Sequence, residues 1–165
     1  MRVLTRLPPR GRRLVRTYLV VMDETEESAK ALRYAAQRAA RTGGTVEILA
    51  VVERQEFVQW GGVQAAMEEE ARLRTEARVL AASGAIMEEA GLVPSITVRQ
   101  GPAVRAVADY LKERDGISAL VLAAAADGGP GPLIAHFSGA ALASLPCPLI
   151  IVPGHLPDET LAKLS

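Results

Sequence analysis

Five short runs rich in valine, isoleucine and leucine recur along the chain, each separated from the next by enough residues for a helix. They are "TYLVVMD" (17–23), "TVEILAVVE" (45–53), "SITVRQ" (95–100), "ALVLAA" (119–124) and "PLIIVP" (148–153). Each reads as a strand, and several are apolar enough to be buried on both faces, as strands of parallel sheets are. Four intervening helical segments make this a series of βαβ units, whose right-handed crossovers place helices on both faces of one sheet. The predicted fold class is α/β: a single-domain, open, parallel five-stranded sheet of order 3-2-1-4-5, Rossmann-like. A chain of 165 residues, 49% of them hydrophobic, is long enough to bury one such core.

The helical segments differ in how sharply they are marked. In the first, Ala29, Leu32, Ala36 and Ala39 share a face, Thr25 is placed to cap, Glu26 and Glu27 suit the positive end, and Gly43 and Gly44 stop the helix. In the second, Leu73, Ala77, Leu80, Gly84 and Met87 recur at spacings of four and three and predict the buried face of a helix beginning near Gln64 and ended by Gly91 and Pro94. The third starts at Gly101 and Pro102 and is expected to bury Val104, Val107, Ala108 and Leu111. The fourth, around Phe137, Ala141 and Leu145, is cut off by Pro146. Residues 54–62, with Phe57 and Trp60, are the least regular part of the domain. The two aromatics are read as packing under a loop, as a lid over the crevice, or as a contact patch.

Charge bounds the partners. The totals balance at 19 basic and 19 acidic residues, which points to neither nucleic acid nor a membrane surface. Residues 1–16 hold six arginines and no acid, leaving 13 basic against 19 acidic residues in a mildly acidic body. That start lacks the apolar stretch of a secretory signal and contains Pro8, Pro9 and Gly11, so it is expected to be a flexible extension. A docking arm for an acidic partner and a processed start are the alternatives. No window approaches 18 unbroken apolar residues, and a lone Cys147 rules out an internal disulfide and fits the cytoplasm. The expected organisation is an extension over 1–16, a domain over 17–154 and a tail over 155–165, in which "DETLAK" suggests a short helix.

Ligands of open α/β sheets bind beyond the carboxyl ends of the strands, where the strand order reverses. Here that crevice falls between strands 1 and 4, rimmed by Asp23 and by "AAAADGGPGPLIAHFS" (123–138). Asp23 with the segment "DETEESAKALRYAAQRAARTGGTVEILAVVE", Gly101 after strand 3, the Val-Leu pair in "ALVLAA" and "LPCPLIIVP" (145–153) together resemble the universal stress protein family over residues 17–154. One branch of that family binds ATP through a glycine-rich motif after strand 4. Counting back from Cys147 and forward from Val121, its three glycines correspond to Ala123, Ala126 and Ala135, and its closing Ser/Thr to His136. Glycine there allows positive φ and close approach of backbone N–H groups to phosphate. A β-methyl obstructs both, and Asp127 adds repulsion.

The resemblance with this degenerate motif implies a dimeric, non-catalytic regulatory protein that works through an unknown partner protein without ATP. The alternative is an adenine-nucleotide sensor using Asp23, Gly101, Gly128, Gly129, Gly131 and His136 as ligand-binding residues, with the three clustered glycines forming a displaced anion nest. "DGGPGP" also reads as a plain turn-rich loop, and Asp23 as a turn carboxylate before Thr25. No nucleophilic triad can be built on Ser28 or Ser138, no metal-ligand spacing is present, and a substrate-adenylating enzyme would need a different loop where "DETEES" stands. Cys147, between two prolines, reads as a small buried apolar residue. Strand 5 (Pro148 to Pro153) is too apolar for a bare edge, and the family commonly dimerises there, so a homodimer through it is expected.

Overall fold

The computed structural model describes residues 15–23, 25–53 and 61–165. The expectations for residues 1–14, Phe57 and Trp60 lie outside the described residues. Strands β1 (Thr17–Met22), β2 (Thr45–Val52), β3 (Ser95–Gln100), β4 (Ile117–Ala124) and β5 (Leu149–Pro153) form one parallel sheet in the order β3-β2-β1-β4-β5. The helices are α1 (Glu27–Thr42), α2 (Gly61–Ala90), α3 (Ala103–Glu113), α4 (Gly131–Phe137) and α5 (Asp158–Leu164), with a 3₁₀ turn over Ala140–Ser144. The central strand β1 alternates its side chains between two cores. Tyr18, Val20 and Met22 meet α1, α2 and α5, whereas Leu19 and Val21 meet α3 and α4.

Small side chains set α1 close to the sheet, with Ala31, Ala35, Ala36 and Ala39 almost wholly buried around Leu32. Ala29, expected on that face, is exposed. The helix ends as expected: Gly43 takes a left-handed conformation (φ 66°), and the N–H groups of Gly43 and Gly44 return to the Ala39 carbonyl. Its start is different. Thr25 does not cap; its own N–H is bound by Asp23 Oδ1 at 2.9 Å, and Glu26 stands at the cap position without a side-chain hydrogen bond.

The largest correction concerns α2. Leu73, Leu80 and Met87, expected in the core, are 52%, 64% and 54% exposed, and the buried positions are Thr75, Val79 and Ile86. The helix carries two apolar stripes on opposite sides, and the one with β-branched residues docks on α1 and β2. Helix α3 buries Ala106, Val107, Tyr110 and Leu111, a face shared with the expected one at Val107 and Leu111. The fourth helix is shorter than expected and stops before Ser138. The chain turns into the 3₁₀ segment at Gly139, where a Cβ would meet the Ala135 carbonyl oxygen at 2.9 Å, so the turn as made requires glycine.

Residues 155–165 pack as α5 against α1. Leu161 is 1% exposed in the first core, Arg41 Nη2 donates to the Ala162 carbonyl at 2.7 Å, and Arg33 joins Glu89 of α2 and Asp158 of α5. Among the described residues no helix is long and apolar enough to cross a membrane.

Candidate functional site

A cavity of about 530 Å³ opens at the carboxyl ends of β1, β2 and β4, where the strand order reverses. Its floor is apolar, made by Val21, Val51, Leu122, Ala123 and Ile134, and α2 supplies a wall through Met67, Ala71 and Arg74. The rim is acidic. Among the described residues, Asp23, Glu53, Glu68 and Glu70 line it against the one guanidinium of Arg74, which is itself paired with Glu70 at 2.9 Å. Gln64 lies beside Glu68 at 3.1 Å and offers the site a neutral amide.

Of the six candidate ligand-binding residues from the sequence, Asp23 and Gly131 line the cavity. Asp23 is occupied by the turn it makes with Thr25, and Ser28 Oγ donates to the Thr25 carbonyl at 2.8 Å below it. Gly131 (φ 77°) and Gly128 (φ 90°) hold positive φ, so both serve the chain reversal before α4, while Gly129 does not. Gly128 and Gly129 lie outside the cavity lining, as does Gly101, whose N–H donates to the Val52 carbonyl. His136, a candidate ligand-binding residue from the sequence, sits exposed in the last turn of α4 with its ring edge-on to Phe137 at 4.9 Å, outside the cavity lining. Cys147 is buried, and burial pushes its thiol pKa up. Among the described residues no group of three or more His, Cys, Asp or Glu could hold a metal ion.

The feature that sequence reasoning missed is the occupant of the loop after β4. Glu27, in the first turn of α1, turns its carboxylate to the Ala126 N–H, with Oε1 at 3.3 Å. Backbone N–H donors, its own first and then that of Ala126, hold this carboxyl below the usual carboxylate range. Gly154 makes room for the contact. A Cβ there would meet Glu27 Cγ at 2.4 Å and the Ala124 carbonyl oxygen at 2.5 Å. Lys30 Nζ closes the arrangement from the other side by donating to the carbonyls of Gly154 and Leu156. A negative group of the protein therefore already sits on a backbone donor of the loop in which the family resemblance locates a phosphate cradle. With four more carboxylates among the described residues around the cavity, these described residues do not fit a polyphosphate.

The family model of the universal stress protein family matches residues 15–153. Among solved structures, the chain is similar to the universal stress protein UspA from Lactobacillus plantarum, with 16% identity, 83% of this chain and 97% of that chain covered, and a TM-score of 0.69. It is similar also to a universal stress family protein from Burkholderia pseudomallei, with 18% identity, 86% and 98% covered, and a TM-score of 0.64. A third is the universal stress protein from Archaeoglobus fulgidus in complex with dAMP, with 16% identity, 84% and 98% covered, and a TM-score of 0.52. None of the curated proteins matches the chain.

Proposed function

This chain belongs to the universal stress protein family, and from that premise we propose that it is a homodimeric, non-catalytic regulatory protein of the cytoplasm that acts by docking a partner protein without ATP. The observation that carries this reading is the Glu27 carboxylate on the Ala126 N–H. A donor already satisfied by an internal anion has little to offer a phosphate, and a phosphate seated there would face that same charge. The homodimer rests on β5, an edge strand of Leu149, Ile150, Ile151 and Val152 whose Ile151 is 38% exposed. Pairing across a two-fold axis would satisfy its free backbone groups.

A second reading keeps the cavity in use, and its apolar floor at the strand-order reversal favours it. The relative from Archaeoglobus fulgidus was solved with dAMP. In this chain the corresponding ligand is an adenine compound with one phosphate or none, its ring on Val21, Leu122 and Ile134. Native mass spectrometry of the purified protein tests both readings. The expected species is an assembly built on the dimer with no ATP or ADP retained. A monomer at micromolar concentration, or stoichiometric ATP in the native ion, would contradict the proposal.

A further inference from the structure

Five of the eleven large apolar side chains exposed among the described residues belong to α2: Val63, Met67, Leu73, Leu80 and Met87. On the side away from the core, Leu73, Ala77, Leu80, Gly84 and Met87 recur at alternating spacings of four and three, the strict heptad seam by which helices pair. A single exposed leucine needs no explanation, whereas a seam five residues long at this period has a partner helix as its natural complement.

We propose that α2 pairs with α2 of a second copy of this chain, antiparallel, about a two-fold axis level with Ala82. Size complementarity supports the self-pairing. Along the seam large residues (Leu73, Leu80, Met87) alternate with small ones (Ala77, Gly84), and Gly91 continues the series after the helix end. In the antiparallel register centred on Ala82, Leu80 lies opposite Gly84 of the copy, Met87 opposite Ala77, and Leu73 opposite Gly91. Every large side chain then enters a gap left by a small one, which is the interdigitation that close helix packing requires. Charge complementarity is compatible with this register. Arg74 and Glu88, both exposed and flanking the seam on the same side, come within two residues of level with each other's counterpart, about 3 Å of helix rise and within reach of an arginine side chain, so the pair forms twice across the axis. Among the described residues of its own chain Arg74 pairs with the exposed Glu70, a contact that holds it weakly. The buried face of α2, with Thr75, Val79 and Ile86, lies on the opposite side and stays with its own domain.

This interface is separate from β5. Two independent two-fold contacts on one chain generate either a closed tetramer or an open filament, so the α2 contact raises the assembly beyond the dimer. The test combines light scattering with site-directed cross-linking in the full chain. Leu80→Asp, at an exposed position where folding is not at stake, is expected to reduce the assembled mass at least twofold. Arg74→Glu is expected to weaken the assembly, and Arg74→Glu with Glu88→Arg to restore it. Ala81→Cys lies beside the axis and is expected to link two chains through a short bifunctional maleimide, while Ala85→Cys, turned from the seam, is not; the buried Cys147 leaves the parent chain unlinked. An unchanged mass for Leu80→Asp, or equal linking at positions 81 and 85, would overturn the α2 pairing whatever the fate of the β5 dimer.

Discussion

Glu47 shows how single residues carry this fold. It is an acidic residue within a buried strand, and it is tolerated because Tyr110 donates its hydroxyl to Oε2 at 3.0 Å and Arg114 pairs with Oε1. Leaving such a group without a partner costs more than making the bond gains. Tyr110→Phe is therefore expected to destabilise the protein by about 1 kcal/mol in urea unfolding, and no loss would place the anchoring of Glu47 on Arg114 alone. Asp23 was legible in the sequence both as a cavity-rim residue and as a turn carboxylate, and the geometry gives it both positions. Glu27 was not. Its place in the first turn of α1 reads as ordinary complementation of the helix end, and its contact with Ala126 spans 99 residues of sequence.

At the scale of elements, the strands were the most legible, because runs of valine, isoleucine and leucine between turn residues have few other fates. The helices were readable in existence and less so in orientation. Helix α2 presents two stripes of similar apolarity, and periodicity alone does not say which one meets the sheet; that is decided by how Val79 and Ile86 fit against α1 and β2. Helix α4 ends before Gly139, a glycine whose turn leaves no room for a Cβ, although the apolar spacing would have carried the helix on to Leu145. Helix α5 was suggested by "DETLAK", but its attachment was not, since the Arg33 and Arg41 contacts join residues more than a hundred positions apart. Leu161→Ala is expected to cost about 2–5 kcal/mol, the range for emptying a buried leucine site, and a loss below about 0.5 kcal/mol would mean that α5 is not part of the core.

For the whole molecule, the sheet order fixes where a ligand can sit and the distribution of charge restricts what it can be. The crevice was legible because the strand order alone locates it. Its acidity was not, because Glu68 and Glu70 reach it from a helix whose buried face the sequence reading placed on the wrong side. Each phosphate charge entering this rim meets carboxylates at about 1 kcal/mol per unit pair at about 4 Å in water, and several-fold more where water is scarce. The most direct measurement is a calorimetric titration of the protein with adenosine, AMP, ADP and ATP in turn, with and without magnesium. Affinity is predicted to fall with every added phosphate, leaving ATP without measurable binding at millimolar concentration. ATP binding tighter than adenosine or AMP would contradict the account, because a crevice that already holds its own carboxylate would then be receiving three phosphates.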